Sequence, residues 1–284
     1  MKEINQIIHL TNSKDALKSI IKNGFYTSYA KETFGNKNVL IPMISFANIL
    51  FRDIGENEVV DYGKYGIVFN RELAIEKFDL NPVFYVKSDS ELGSTFITNF
   101  ENSIVPQTLH VAKTFYEESN ADKFTDYISL NPVSKEIKNL LNSLDKNVND
   151  EFLQSIKILF ENYFINCLKQ ALLLKPFKVK NKEGITKIAY NEREWRKSFF
   201  DLNFISELNP NGEANPEYKN WINKTKPHYK KENVLLIKLE YVRSIYVDNQ
   251  DEIEDLDKFI NDNFGKHTIE INTLDEFKRR ENGS

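Results

Sequence analysis

Strand-like apolar runs lie near both ends of the chain, and a long helical pattern separates them. The runs, rich in isoleucine, valine and leucine, cover residues 4–10, 39–49, 234–240 and 243–247. From about residue 101 to 176, apolar residues instead recur at helical spacing, and Pro176 ends that pattern. Strands grouped apart from helices are typical of an α+β fold and not of a regular βαβ alternation. We therefore predict a single α+β domain over residues 1–284, with a mainly helical insertion at about 101–176.

A strand, a capped helix and a glycine stop are predicted within the first 24 residues. Asn12 and Ser13 supply N-cap chemistry after the first strand-like run, and Gly24 occupies the usual position after a helix. This order places His9 and Thr11 at the end of the first strand.

Proline and glycine positions add three local predictions. Pro42 interrupts the second strand-like run, which indicates a sheet edge or a strand start. Gly63 and Gly66 permit another group to approach the backbone closely. Residues 209–218 have the composition of a polar loop, and the tail from Lys278 is expected to fray.

Four charges and a tryptophan crowd into residues 192–196, just after a tyrosine and an asparagine. If residues 190–196 are extended, Glu192, Glu194 and Arg196 share one face, whereas Arg193 and Trp195 share the other. Two carboxylates and a guanidinium on one face are costly to bury unless they pair or bind something. Trp195 is interpreted as a packing residue.

Several common classes of protein are excluded. The net charge of -4 gives no general attraction to nucleic acid or anionic membrane, and the basic stretch 224–231 is either a solvated loop or a local nucleic-acid contact. The single cysteine, Cys167, excludes an intramolecular disulfide, and four scattered histidines form no metal motif. No apolar run has the length of a signal peptide core or a membrane span, so we expect a cytoplasmic protein.

A histidine, an aromatic ring and a glutamate on separate strands suit chemistry at a ribosyl carbon. A carboxylate stabilises the oxocarbenium-like state that forms when an N-glycosidic bond breaks. Structural alternatives stay open: His9 bonded to a backbone carbonyl, Glu192 and Glu194 paired with arginine and lysine, and Tyr62 and Tyr65 as core or loop tyrosines. No P-loop, dinucleotide fingerprint or hydrolase motif is present.

The order of short motifs resembles the AbiGi-type abortive-infection, or phage-resistance, family. The motifs are H-L-T, N-G-F, I-S-F-A-N, Y-G-K-Y-G-I-V-F, N-P-V-F-Y-V, K-P-F and E-R-E-W-R, and they extend from His9 to about Val247. That family is described as the antitoxin half of a two-gene defence system. The resemblance implies antiviral defence without fixing a reaction, and it implies a cognate toxin or a phage protein as partner.

A looser resemblance is to ADP-ribosyltransferases, which implies a mixed or antiparallel sheet core and NAD as the substrate. Their strand-end histidine motif matches His9 and Thr11, and their catalytic glutamate matches Glu194, the second of an E-x-E with Glu192. Their middle-strand aromatic matches either Phe46 or Tyr65. The long helical segment between that aromatic strand and Glu194 departs from their pattern.

Two main hypotheses follow, from different classes of protein. In the first, an NAD-dependent ADP-ribosyltransferase or NAD-cleaving effector modifies a protein or nucleic acid, without a metal. Its residues would be His9 and Glu194 as catalytic groups, Thr11, Phe46, Tyr62 and Tyr65 around NAD, and Glu192, Arg193 and Arg196 orienting the acceptor. In the second, a non-catalytic antitoxin or regulator binds a toxin or phage component through residues 134–174. A metal-dependent nuclease using Glu192, Glu194 and a distant aspartate is a third hypothesis, and no second acidic cluster with suitable spacing supports it.

Overall fold

The computed structural model describes residues 4–34, 37–87, 90–91, 173–199, 205–207, 214–223 and 229–283. The predicted helical insertion therefore lies outside the described residues, apart from its last few positions. Cys167 and the basic residues 224–228 also lie outside them. The division into one domain with an insertion stays a prediction.

Fourteen strands and six α-helices make up the described part of the chain. The strands are β1 (Gln6–Thr11), β2 (Phe25–Phe34), β3 (Lys37–Ala47), β4 (Tyr65–Asn70), β5 (Asn81–Pro82), β6 (Phe84–Val86), β7 (Leu174–Pro176), β8 (Lys178–Lys180), β9 (Thr186–Ile188), β10 (Glu194–Ser198), β11 (Ile205–Ser206), β12 (Tyr229–Leu235), β13 (Val242–Val247) and β14 (Glu270–Thr273). The helices are α1 (Lys14–Asn23), α2 (Glu56–Tyr62), α3 (Arg71–Phe78), α4 (Pro216–Ile222), α5 (Glu252–Phe264) and α6 (Leu274–Asn282).

One large open sheet dominates the fold, with the order β12-β2-β3-β1-β4-β13-β14. All its pairings are antiparallel except that between β13 and β14, which is parallel. Two small sheets, β6-β7 and β8-β9, accompany it. This confirms the prediction of an α+β fold with a mixed, mostly antiparallel sheet.

Strand β3 is the junction of the large sheet because it has partners along both edges. Met43 pairs with Ser28 of β2 and with Ser198 of β10, whereas Ala47 pairs with Ile8 of β1 and with Glu194 of β10. A residue has only two edges, so β10 lies on the edge of β3 opposite to both β2 and β1. Strand β11 pairs with β3 further along, at Leu40 and Val39.

The prediction that Pro42 marks an edge or a strand start is wrong. Pro42 lies in the middle of β3 and pairs with Tyr29 of β2. The described pairings of β10 stop at Met43 and those of β11 stop at Leu40, so Pro42 falls in the gap between them. Since proline has no N–H to donate, such a gap tolerates it inside a sheet.

The two faces of the large sheet carry separate cores. Residues with odd numbers in β1 and β4, such as Ile7 and Phe69, pack with Leu17 of α1 on what we call the α1 face. Ile8, Val68 and other residues of the opposite face pack with Phe277 of α6 on the α6 face. Side chains alternate between these two faces along every strand.

Gly66 is required by close packing on the α6 face. A Cβ atom at Gly66 would lie 2.2 Å from the ring of Tyr246, whose side chain is fully buried. Gly63, with φ of 110°, similarly brings the end of α2 against the backbone of Thr11 and Asn12. The prediction of close approach is thus confirmed, and the approaching groups are parts of the protein itself.

Several local predictions near the C-terminus are wrong. The strand-like run 234–240 leaves the sheet after Leu235, and the loop 209–218 contains the start of α4. The tail does not fray at Lys278, because Thr273 caps α6 and Phe277 stacks on Phe51 at a ring-centroid distance of 4.5 Å. Burial of an aromatic ring outweighs the polar composition of the surrounding tail.

Candidate functional site

The run 190–196 is only partly extended. Residues Ala189–Glu192 form a 3₁₀ turn, and Arg193 adopts a left-handed conformation with φ of 44° before β10 begins at Glu194. The prediction of one continuous extended run is therefore wrong for its first half. Glu192 nevertheless ends beside Glu194, because the turn folds it back against the same lysine, Lys175.

Strand β10 separates its charged and aromatic side chains as the alternation predicts. Glu194 and Arg196 lie opposite Ala47 and Ser45 of β3, on the α6 face. Trp195 lies opposite Phe46 and packs on the α1 core, which confirms its interpretation as a packing residue. Arg196 is fully buried, and only 6% of Glu194 is exposed.

Seven side chains around β10 form a continuous series of ion pairs in which acids and bases alternate. In order they are Glu32, Arg196, Glu194, Lys175, Glu192, Lys187 and Asp61, which we call the charge chain. Four carboxylates thus alternate with three cations. Its members come from β2, β7, β9, β10, the turn before β10 and α2. The charge chain therefore joins both small-sheet segments to the large sheet.

The separations within the charge chain are those of direct ion pairs. Arg196 Nε lies 2.6 Å from Glu194 Oε1, and its Nη2 contacts Glu32. Lys175 Nζ lies 2.5 Å from Glu194 Oε2 and 2.8 Å from Glu192 Oε2. Lys187 Nζ lies 2.7 Å from Glu192 Oε1 and 2.5 Å from Asp61 Oδ2. Both oxygens of Glu192 and of Glu194 are therefore in contact with cations.

Neutral groups form further hydrogen bonds with Glu192 and Glu194. Ser45 Oγ donates to Glu194 Oε1 at 2.9 Å, and Tyr62 Oη donates to Glu192 Oε1 at 2.9 Å. The backbone N–H of Glu194 donates to Tyr85 Oη at 2.7 Å. Glu192 and Glu194 are thus satisfied by the protein itself, as buried ionised groups must be.

The pKa shifts in the charge chain have opposing causes. Burial acts to raise the pKa of Glu194, but Arg196 and Lys175 outweigh it and hold that pKa at about 2. Burial likewise acts to lower the pKa of Lys175, and the surrounding carboxylates raise it well above its ordinary value. Glu32 differs, because burial raises its pKa in spite of Arg196. Glu194 and Lys175 therefore stay charged at neutral pH, and neither is poised to exchange a proton.

His9 lies inside β1 and not at its end, on the α1 face opposite Ile67. Its ring packs edgewise against Phe25 and Phe46, with centroid distances of 4.6 and 5.6 Å, and its Nδ1 lies 2.9 Å from the carbonyl oxygen of Ser45. This confirms the alternative of a histidine bonded to a backbone carbonyl. Burial lowers the pKa of His9 to about 4, opposed by the bond to Ser45.

The predicted site residues fall into two groups on different faces of the sheet. His9, Thr11, Phe46 and Tyr65 belong to the α1 face, where Tyr65 Oη donates to Glu252 of α5. Tyr62, Glu192, Glu194 and Arg196 meet around the charge chain, and Arg193 is exposed beside them. Ala47 pairs with both Ile8 and Glu194, so Glu194 shares a face with Ile8 and not with His9. His9 and Glu194, the two predicted catalytic groups, therefore do not face one shared cleft.

Four members of the charge chain are not predicted from the sequence. Glu32, Asp61, Lys175 and Lys187 are single charges in separate segments, and only the ion pairs of the fold bring them together. Lys175 carries the clearest signal, because it interrupts an apolar run between Leu174 and Pro176. Among the described residues, no three His, Cys, Asp or Glu side chains are grouped as ligands for a metal ion.

The histidine contact yields a pH-dependent prediction. The pKa of His9 is about 4 in the folded chain and about 6.5 when unfolded, so below pH 6.5 the unfolded state takes up more protons. The contribution of neutral His9 to the free energy of unfolding is therefore complete above pH 6.5, and it is lost as the pH falls toward 4. Between pH 7.5 and 5.0, His9 should lower the free energy of unfolding by about 2 kcal/mol. Urea unfolding of wild type and His9→Gln at both pH values measures this contribution.

In His9→Gln, the difference in the free energy of unfolding between pH 7.5 and pH 5.0 should be smaller than in wild type by that amount. Asn263→Gln, on an exposed position of α5, is the control and should keep the wild-type pH dependence. An unchanged pH dependence in His9→Gln would show that His9 is not held neutral by the fold.

Comparison with known proteins identifies the family. The family model described as "Putative abortive phage resistance protein AbiGi, antitoxin" matches residues 23–240, about three quarters of the chain. The chain belongs to the AbiGi family. The matched range includes every member of the charge chain, whereas His9 and Thr11 precede it. No curated protein and no solved structure matches the chain.

No helix in the described part of the chain is long and apolar enough to cross a membrane.

The similarity to ADP-ribosyltransferases stays a prediction, and so does NAD binding by Thr11, Phe46, Tyr62 or Tyr65.

Proposed function

We propose that this AbiGi protein is the antitoxin of an abortive-infection system and that it acts by binding a toxin protein, without chemistry at Glu194. The observation that carries the proposal is the charge chain, in which both oxygens of Glu194 contact buried cations. The family description, an antitoxin of phage resistance, supports the same role. Binding a partner requires an accessible surface, but it does not require a free catalytic carboxylate.

A transferase at this site would need a rearranged charge chain. To stabilise an oxocarbenium ion, Glu194 must face the ribose, and a ligand there would have to displace Lys175 or Arg196. Displacing either cation would leave a buried carboxylate without its partner, which costs several kcal/mol. His9 could not assist, because it lies on the opposite face of the sheet. NAD cleavage therefore remains the competing prediction with less support from the geometry.

The predicted partner surface, residues 134–174, lies almost entirely outside the described residues. Most of the basic stretch 224–231, predicted as a solvated loop or a local nucleic-acid contact, also lies outside the described residues. Neither segment contributes to the proposal.

Co-expression with the protein encoded next to it tests the proposal. The wild-type chain, tagged and co-expressed with that protein, should purify as a stoichiometric complex and relieve its toxicity to the host. Glu194→Gln should do the same at a temperature where circular dichroism shows that it is folded. In parallel, the purified chain should release no nicotinamide from labelled NAD, with or without phage lysate.

Two results would contradict the proposal. One is a neighbouring protein that is toxic and is neither bound nor neutralised by the wild-type chain. The other is nicotinamide release by the wild type that disappears in folded Glu194→Gln.

A further inference from the structure

The β8–β9 hairpin is closed by its own strand pairing and by a side chain in its turn. Its strands pair Lys178 with Ile188 and Lys180 with Thr186. The turn is closed by Asn181, whose Oδ1 accepts from the backbone N–H groups of residues 183 and 185 at 3.1 and 2.7 Å. Such a side chain to backbone turn fixes the loop in one conformation.

Helix α2 anchors the hairpin from one side. Asn181 Nδ2 donates to Asn57 at 3.2 Å, and the backbone N–H of Lys182 donates to Asp61 at 2.9 Å. Lys187, whose side chain faces α2, pairs with Asp61 and lies 4.9 Å above the ring of Tyr62. These contacts hold the hairpin against α2, so its exposed side chains are positioned before any partner arrives.

The hairpin, its own turn and the turn after it expose apolar and basic side chains within a short stretch of chain. Ile185, Ile188 and Tyr190 are 54, 42 and 55% exposed, so three large apolar side chains emerge within six residues. Lys178, opposite Ile188, and Lys180, opposite Thr186, are exposed as well. We call these six residues the hairpin surface: Lys178, Lys180, Ile185, Thr186, Ile188 and Tyr190.

Both charges of the hairpin surface are available for a partner. Neither Lys178 nor Lys180 has an ion-pair partner among the residues that the structure describes. The chain as a whole carries a net charge of -4, so this positive surface contrasts with the rest of the molecule. An apolar centre with charged side chains beside it is the composition of a protein–protein contact.

The chemistry of this surface favours a protein over a nucleic acid. Isoleucine side chains offer no flat ring for bases to stack on, and single-strand binders rely on such stacking. The single ring, Tyr190, already packs edgewise on Tyr85 at a centroid distance of 5.4 Å. Two lysines would neutralise only two phosphates, few compared with the contacts of a typical nucleic-acid site.

We propose that the hairpin surface is where this protein binds its toxin, and that the toxin presents carboxylates around an apolar patch. This inference rests on the proposed antitoxin function and adds to it a location and a partner chemistry.

Charge reversal on the hairpin surface tests the inference. In Lys178→Glu/Lys180→Glu, the lysines that face the proposed carboxylates become carboxylates themselves. Affinity for the protein encoded next to this one, measured by biolayer interferometry, should fall about tenfold or more, mainly through like-charge repulsion. Ile188→Asp should weaken binding comparably. Lys258→Glu/Lys266→Glu, with the same change of net charge at exposed positions in and after α5, is the matched control and should bind as wild type.

The outcomes separate the two proposals. If the wild type binds and the hairpin variants bind equally well, the surface is wrong and the antitoxin function stands. If the wild type does not bind or neutralise its neighbour at all, the antitoxin function is wrong and the surface falls with it. If labelled single-stranded or duplex DNA binds wild type and is lost in the lysine variant while protein binding is unchanged, the surface is a nucleic-acid site. Hydrogen-exchange protection of residues 178–190 in the complex should accompany the expected loss of affinity.

Discussion

Replacing Arg196 by methionine is expected to lower the free energy of unfolding by about 3–5 kcal/mol. Arg196 is fully buried and contacts Glu194 and Glu32 at once, and its Nη1 also donates to the carbonyl of Leu174 at 3.2 Å. Methionine matches much of the apolar volume but leaves two buried carboxylates with one cation fewer. Urea unfolding of both proteins at pH 7.5, followed by circular dichroism, measures the difference.

The next residue on the same strand provides the control. Lys197 faces the other side of β10, and its partner Asp79 has a side chain that is 74% exposed. Lys197→Met removes the same charge and should cost about 0–1 kcal/mol, because exposed ion pairs contribute little. Equal losses in the two variants would show that the burial of the charge chain does not determine its energetic role.

The sequence predicts the pattern on β10 better than the site around it. Alternation alone places Glu194 and Arg196 on one face and Trp195 on the other, because side chains in any strand alternate. The 3₁₀ turn before Glu194 could not be anticipated in the same way. Its key feature, the left-handed Arg193, is a conformation that non-glycine residues rarely adopt and that no residue type there signals.

The partners of Glu194 could not be predicted because they depend on long-range topology. Glu32 lies 164 residues from Arg196 in sequence, and the fold brings them together through β2 and β10, which both pair with β3. Local patterns carry no information about which edge a strand joins. The pairing register places Glu194 on the other face from His9, because Ala47 of β3 lies opposite both Ile8 and Glu194.

The hydrophobic pattern also explains why helix α5 is not predicted from the sequence. Helix α5 and the residue just before it carry four acidic residues within positions 251–255, and the helix buries only Leu256 and Ile260, so its sequence resembles a polar loop. Its stability comes from packing on the α1 face with Leu17 and Ile21 of α1. Tertiary burial of two side chains thus determines an element for which the local sequence gives little evidence.

Replacing Lys175 by methionine should destabilise the protein by about 3–5 kcal/mol at pH 7.5, and by less at pH 5.0. Lys175 Nζ bridges Glu192 and Glu194, and only 9% of its side chain is exposed. Without this cation, the two carboxylates repel each other in a buried setting. The pKa of Glu194 should therefore rise from about 2 to above its unfolded value.

The sign of the pH effect follows from that rise. In the wild type, the pKa of Glu194 is depressed, so its contribution is complete above pH 4.5 and is lost only as the pH falls toward 2. In the variant, a raised pKa gives stability at low pH that is lost as the pH rises through it. The difference in the free energy of unfolding between wild type and Lys175→Met should therefore be smaller at pH 5.0 than at pH 7.5, as measured by urea unfolding at both values.

Lys178→Met, at an exposed position three residues away, is the control and should change the free energy of unfolding by less than about 0.5 kcal/mol at either pH. If the difference in the free energy of unfolding between wild type and Lys175→Met is instead the same at both pH values, the loss comes from packing of the lysine stem, because packing does not titrate.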